Sequence, residues 1–163
     1  MTTQDPTQFI YSFKELLAWR DKVAKEGKRI VLTNGCFDLL HRGHLSYLHH
    51  SAQLGDSLVV AINGDASVRE LKGPSRPIHS EQDRAYAIAS LRCVDAVFIF
   101  EGPRLDREIT DLKPDIYTKA GDYKLETLDP SERAALETVH AKICFLPFVH
   151  GHSTTNIIKQ IGQ

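Results

Sequence analysis

A short apolar run, Ile30-Val31-Leu32, breaks at Thr33-Asn34-Gly35 and passes through Cys36-Phe37-Asp38 into His41-Arg42-Gly43-His44. An apolar run closed by a glycine turn reads as a buried strand, and the segment after it as the opening of a helix. A helix that starts just beyond a strand presents unpaired N–H groups and the positive end of its dipole. α/β folds hold phosphates at that place. Two imidazoles three residues apart share one helical turn and face one ligand together. Gly43 between them lets a phosphate approach the backbone closely. Donors and positive charge aimed at a phosphoryl group stabilise it in transfer, and no nucleophile is required.

The strand–helix alternation continues to the end of the chain. Apolar runs predict strands at 29–33, 57–63, 96–100, 115–119 and 142–147. Strand 57–63 is almost continuously apolar, as a parallel strand covered on both faces must be. A first helix is predicted over 12–26, with Ser12 as cap, Glu15 at the capping-box spacing, and a stripe of Phe13, Leu16, Leu17, Arg20 and Val23. Further helices are predicted after the His-x-Gly-His motif to about 53 (apolar on Leu45, Leu48 and Ala52), over 66–71, 81–90, 105–112 and 130–140, and from 153 or 154. The expectation is a single α/β domain built on a Rossmann-like, doubly wound, parallel five-stranded sheet. Strand order is not readable at this level. The site should lie at the carboxyl ends of the strands.

Length and charge narrow the function classes. A chain of 163 residues, 42% apolar and 25% charged, suits one domain with a real core. A net charge of −1 gives no case for nucleic-acid or membrane partners. Cys36, Cys93 and Cys144 form no Cys-x-x-Cys pair or disulfide framework, so reduced thiols and a cytoplasmic protein are expected. Cys36 reads as a small residue in a tight turn, not as a nucleophile. The polar segment 1–8 does not read as a signal peptide, and no run is long enough for a membrane helix.

Several residues invite phosphate chemistry directly. Lys72 and Arg76 lie in the turn-rich loop Lys72-Gly73-Pro74-Ser75-Arg76-Pro77, where mobile cations suit a departing pyrophosphate. Ser153-Thr154-Thr155 opens a helix, where hydroxyls and free N–H groups hold an anion or simply cap. His49, His50, His79 and His140 have no comparable setting, and His150 and His152 are given no role beyond shaping the site.

Thr33–His44 resembles the signature of the nucleotidyltransferases that include the cytidylyltransferases. Three more segments make the chain similar to the heptose 1-phosphate adenylyltransferases within that family: Ala61-Ile62-Asn63-Gly64-Asp65-Ala66-Ser67, Lys119-Ala120-Gly121-Asp122-Tyr123 and Ser153-Thr154-Thr155-Asn156-Ile157-Ile158-Lys159. The resemblance spans roughly 28–161. It implies a nucleotidyltransferase domain at 28–163, with 1–27 a helical extension packed on it. It implies His41, His44 and Lys72 as catalytic residues. It implies nucleotide contacts from Asn34, Gly35, Cys36, Phe37, His44, Gly121, Asp122, Ser153, Thr154 and Thr155. Asp38, Asn63, Asp65, Arg76 and Arg84 are implied as contacts to the acceptor or a phosphate. Mg²⁺ is expected to ride on ATP, with no protein ligand assigned. ATP and a sugar phosphate are the expected partners, and a homodimer is expected, with the N-terminal helix as candidate contact.

Two departures bear on substrate. Ala120 stands where the heptose enzymes commonly have Gly. Phe148 stands where glycerol-phosphate cytidylyltransferases place an Arg that serves their acceptor. Three readings follow: adenylyl transfer to D-glycero-β-D-manno-heptose 1-phosphate, cytidylyl transfer to glycerol 3-phosphate or a related alcohol phosphate, and nucleotide binding without turnover. On the first reading, the kinase that supplies the heptose phosphate would be a separate protein.

Overall fold

The computed structural model describes residues 4–121, 123–147, 151 and 154–161. In chain order the elements are α1 (Phe13–Lys25), β1 (Ile30–Gly35), α2 (Arg42–Ala52), β2 (Ser57–Asn63), α3 (Asp65–Lys72), α4 (Glu81–Ala89), β3 (Ala96–Phe100), α5 (Asp106–Leu112), β4 (Ile116–Ala120), α6 (Pro130–Thr138), β5 (Lys142–Leu146) and α7 (Thr154–Ile161). Short 3-10 turns at Pro6–Phe9 and Leu125–Thr127 complete the path.

The five strands form one parallel sheet in the order β3-β2-β1-β4-β5. The chain works outward from β1 through β2 to β3, then returns to lay β4 on the other side of β1. The topological switch point is therefore the crevice between β1 and β4, where open α/β sheets bind ligands. Residues Ile30 and Leu32 join the core on one face with Phe98, Ile109 and Tyr117, while Val31 joins Leu48, Val60 and Ile88 on the other. That split follows from the two-residue period of a strand. All seven residues of β2 are buried, in keeping with its near-continuous apolar sequence.

Helix α1 is capped as its sequence predicts. Ser12 Oγ accepts from the Glu15 N–H, and the Glu15 carboxylate accepts from the Ser12 N–H. Leu16 is fully buried against the first core, with Phe13, Leu17 and Trp19 packed beside it. Arg20 sits in the apolar stripe for a reason that needs the tertiary structure. Its guanidinium donates to the carbonyls of Leu112 and Lys113 at 2.8 and 3.3 Å, tying α1 to the open C-terminal end of α5. Just before α1, Ile10 bridges to Val97, and the Tyr11 N–H donates to the Val97 carbonyl on the outer edge of β3.

One helix face differs from its expectation. On α2 the buried residues are Gly43, Tyr47, Leu48 and Ser51, while Leu45 is 43% exposed. The cause is a buried hydroxyl cluster. Tyr47 Oη lies 2.6 Å from Thr33 Oγ1 and donates to Thr118 Oγ1 at 3.0 Å, and Ser51 Oγ lies 3.0 Å from the same Thr118 oxygen. Polar groups satisfied in this way are tolerated inside, and they pin α2 to β1 and β4. Among the described residues no helix is long and apolar enough to cross a membrane.

Leu16→Ala should destabilise the fold by about 2–5 kcal/mol, the usual range for a buried leucine truncation. Urea unfolding followed by both far-UV circular dichroism and Trp19 fluorescence should show one shared transition at lower midpoint. A separate early loss of α1 would mean that the helix is not part of the same cooperative unit.

Candidate active site

A cavity of about 610 Å³ opens at the carboxyl ends of the strands, with Asn34 of β1 and Lys119 of β4 on either side of the switch point. Its first wall is the β1–α2 turn. A Cβ at Gly35 would stand 2.9 Å from the Phe37 ring, so any larger residue there would have to displace that ring. Phe37 itself adopts a left-handed backbone (φ 47) and turns its ring edge-on to His44, 5.4 Å between centroids.

His41 caps α2. Its Nδ1 accepts from the Gly43 N–H at 3.1 Å, which leaves the proton of the neutral ring on Nε2. The rings of His41 and His44 stack at 3.8 Å between centroids with 24° between planes. His44 is largely buried, and its Nδ1 has no hydrogen-bond partner among the described residues. Burial, and secondarily the neighbouring His41, push its pKa down to about 4, with the backbone at Leu39 acting weakly in the opposite direction. Both effects disfavour a charged ring in the empty site. An incoming polyphosphate supplies negative charge and acceptor oxygens, which reverses that penalty.

Asn63, at the end of β2, and Lys72, the last residue of α3, also line the cavity. Asn63 Nδ2 donates to Ser67 Oγ at 3.1 Å, fixing its amide. Cys36 also lines the cavity. Burial raises its thiol pKa, and Lys72, Arg84 and Arg76 pull it down too weakly to offset this. It is a thiol, not a nucleophilic thiolate.

Four residues expected to touch the acceptor or a phosphate are committed elsewhere. Arg84 is only 1% exposed. Its guanidinium donates to the carbonyls of Cys36 (2.6 Å), Asn63 (2.8 Å) and His79 (3.1 Å) and to Asp65 Oδ1 (2.8 Å). Asp65 is thereby taken, and its own N–H donates to Glu81 Oε2. Asp38 accepts from Arg76 Nε at 2.6 Å and from the N–H groups of Ile78 and His79. Burial opposes the charge on Asp38, but the His79 and Ile78 N–H groups and the Arg76 guanidinium outweigh it and hold the pKa below its ordinary value. Arg76 is thus tethered, not a free cation over the cavity. All four brace the loops around the site and lie outside the cavity walls.

The remaining positions divide. Gly121 (φ 101) donates its N–H to the Leu146 carbonyl, a left-handed turn that suits glycine. Ala120, the departure from the heptose pattern, precedes it at the end of β4 and lines the cavity. Thr154 and Thr155 open α7, and Thr154 Oγ1 donates to the Leu39 carbonyl at 3.3 Å, bringing that helix N-terminus to the histidine turn. Asp122 and Ser153, like Phe148 and the histidines at 150 and 152, lie outside the described residues.

Beside the expected Asn34, the structure also brings in residues that sequence reasoning missed, Tyr117 and Lys119 first among them. Asn34 Oδ1 accepts from Tyr117 Oη at 2.7 Å and from Lys119 Nζ at 3.0 Å. Burial lowers the Lys119 pKa. Pro103, Arg104, Thr127 and Asp129 line the far side of the cavity, with Arg104 paired to Asp129 at 2.9 Å. Lys119 stands inside a recognisable motif, so its position could have flagged it. The others carry no signal in the sequence beyond turn and cap chemistry. Among the described residues no group of three or more His, Cys, Asp or Glu side chains is arranged to hold a metal ion.

Residues 32–160 match the family model described as cytidylyltransferase-like. The chain belongs to the cytidylyltransferase-like family. Curated relatives include the bifunctional protein HldE of Syntrophotalea carbinolica, 47% identical over 84% of this chain, and that of Helicobacter pylori, 48% identical over 83%. The chain spans only 28% of the length of each. Among solved structures, a lipopolysaccharide core biosynthesis protein of Thermoplasma volcanium superposes with a TM-score of 0.61 and 29% identity, covering 76% of this chain and 98% of its own. A pantoate–β-alanine ligase of Francisella tularensis matches at a TM-score of 0.58 over 92% of this chain and 75% of its own, but at 14% identity, and so shares the fold alone. The described His-x-Gly-His turn, the parallel sheet and the cavity at its switch point are thus those of a nucleotidyltransferase enzyme.

Two outcomes follow from this geometry. Arg84→Lys should not rescue the loss caused by Arg84→Met, since an ammonium cannot reach four acceptors in a fork. Both should unfold at lower urea, by roughly 3–5 kcal/mol for the Met variant. Equal stability of wild type and the Lys variant would refute the bracing role. The second outcome concerns His44, whose folded pKa lies below its unfolded value of 6.5. As pH falls from about 6.5 towards 4, the unfolded chain takes up a proton that the folded one refuses, so stability should fall across that window. His44→Gln should flatten the slope, and NMR of the unliganded protein should show this imidazole titrating near pH 4. Titration near 6.5 would contradict the burial argument.

Proposed function

We propose that this protein is an adenylyltransferase that converts D-glycero-β-D-manno-heptose 1-phosphate and ATP to ADP-heptose and pyrophosphate. The product would serve the synthesis of lipopolysaccharide or another surface glycan. The observation that carries the chemistry is the stacked His41–His44 pair on the N-terminus of α2, which lines one cavity with Lys72. The choice of substrates is supported by the resemblance to heptose 1-phosphate adenylyltransferases, which also occur as one half of bifunctional proteins, and by the 46–50% identity to relatives named bifunctional protein HldE.

In this reading an oxygen of the sugar phosphate attacks the α-phosphorus of ATP. A new P–O bond forms, the bond from the α-phosphorus to the bridging oxygen breaks, and its electron pair leaves with pyrophosphate. No group of the protein becomes covalently attached. His41 and His44 donate N–H bonds to the oxygens on which charge grows, which is worth most in the transition state. Lys72 neutralises the leaving pyrophosphate. Thr154 and Thr155 at the start of α7 add donors for the triphosphate. Asp38 and Asp65 are tied to arginines, so Mg²⁺ is best carried by the triphosphate's own oxygens, where it would screen the charge on the leaving group.

The test is pyrophosphate release with Mg²⁺, crossing ATP, CTP and GTP with the heptose 1-phosphate and glycerol 3-phosphate. Turnover should require ATP and the heptose phosphate. His44→Ala should then lower kcat by about 10²–10³-fold with little change in ATP affinity, as for loss of one transition-state donor. Turnover with CTP and glycerol 3-phosphate would overturn the substrates. Nucleotide binding without turnover in any combination would overturn the enzyme reading.

A further inference from the structure

Adenylyl transfer must bring two anions into contact, the α-phosphate of the nucleotide and the phosphate of the acceptor. Their repulsion has to be screened on both sides. The groups named so far, His41, His44 and Lys72, all belong to the β1–α2 and β2–α3 side of the switch point. The same cavity is also lined by Arg104, which follows β3, by Tyr123, Thr127 and Asp129, which follow β4, by Glu132 of α6, and by Lys119 of β4 itself.

The setting of Lys119 is unusual for a structural lysine. Its Nζ donates to Asn34 Oδ1 at 3.0 Å and to Tyr117 Oη at 3.2 Å, both neutral groups. It also lies 5.7 and 5.6 Å from the ring centroids of Tyr117 and Tyr123. Among the described residues it makes no ion pair with a carboxylate. An ammonium has three N–H donors, so one is left for the cavity that Lys119 lines. Burial opposes this cation, the Glu132 carboxylate in the same cavity wall offsets that only in part, and an anion entering beside the ammonium adds the partner that its remaining donor lacks. Tyr117 Oη also donates to Asn34 Oδ1. The amide and phenol therefore fix the ammonium in place before any ligand arrives, which lowers the entropic cost of using it.

We propose that Lys119 binds the phosphate of the acceptor, on the β4 side of the cavity, and that the sugar extends towards Arg104, Tyr123 and Thr127. This rests on the sugar-phosphate transferase reading above. In that arrangement the attacking phosphate is drawn to the β4 side while the triphosphate stays on the α2 side. The attacking oxygen and the leaving pyrophosphate then lie on opposite sides of the α-phosphorus, as in-line displacement requires. The proton balance is unchanged, because Lys119 acts as a charged donor throughout.

The experiment compares wild type with Lys119→Met, Lys119→Gln and Lys119→Arg, measuring KM for the sugar phosphate, kcat, and Kd for a non-hydrolysable ATP analogue. Lys119→Met and Lys119→Gln should raise the acceptor KM by about 10–100-fold, the scale of a lost charge-assisted hydrogen bond. Analogue affinity should stay within about twofold, and Lys119→Arg should recover part of the loss. An unchanged acceptor KM would reduce Lys119 to a structural role and overturn the proposal. An equal loss of analogue affinity would move it to the triphosphate and likewise overturn it. Should the Met variant fail to fold, the Gln and Arg variants decide. If wild type does not turn over the sugar phosphate at all, the reading of the reaction fails, and Lys119 is then judged by calorimetry. Inorganic phosphate is titrated into the complex with the ATP analogue: binding at least tenfold weaker in Lys119→Gln upholds the anion site, and equal binding refutes it.

Discussion

The Arg84 guanidinium is the constraint on which the arrangement of the site depends. From one helix, α4, it reaches the carbonyl of Cys36 in the β1–α2 turn, the carbonyl of Asn63 at the end of β2, and the carbonyl of His79 in the loop before its own helix. The Asp65 carboxylate neutralises it. Three segments far apart in the chain are thereby held in register around the mouth of one cavity. A buried cation of this kind is costly unless almost every donor is used, and here four bonds use it. Asp38 does the complementary work with an anion, gathering Arg76 and two backbone N–H groups of the same loop. The two ionic braces share that loop, so Lys72 at the end of α3 is separated from a tethered segment by only a few residues, including Gly73 (φ 99).

What these braces present is a site whose charge is arranged to wait for substrate. The stacked imidazoles wait with His44 neutral near pH 7, since burial opposes its protonation. Lys72 at the end of α3, Lys119 on β4 and Arg104 line the same cavity. Asp38 and Asp65 are paired with arginines outside the cavity walls, and the carboxylates that line it are Asp129, paired with Arg104, and Glu132. A polyphosphate beside the histidines and Lys72 thus meets donors and positive charge. The hydroxyl cluster of Thr33, Tyr47, Ser51 and Thr118 holds the histidine-bearing helix against the two strands of the switch point.

How much of this was legible in the sequence depends on the range of the interaction that decides it. Strands 57–63 and 96–100 fall where their apolar runs put them, and Ser12 with Glu15 caps α1 at the expected spacing. These are local or near-local effects. The buried face of α2 was misread because Tyr47 and Ser51 look polar, and only partners on β1 and β4 make them inward residues. Arg84 and Asp65, expected as contacts to the acceptor or a phosphate, hold each other in an ion pair that only the tertiary structure reveals. A charged side chain near a phosphate motif has no sequence mark that separates bracing from binding. Lys119 lies in plain view within its motif, but its hydrogen bonds to Asn34 and Tyr117 become visible only when β4 is set beside β1.

The sequence alone determined the alternation of strands and helices, the parallel α/β class, and the placement of a His-x-Gly-His pair on a helix start after the first strand. Each follows from periodicity, capping and backbone sterics, which act over a few residues. The tertiary structure decided the strand order, and with it that the ligand crevice lies between β1 and β4. It also decided which charged groups face the cavity and which are consumed in holding it open. Those outcomes depend on pairing between residues tens of positions apart, where burial and satisfied hydrogen bonds, not local preference, select the partner.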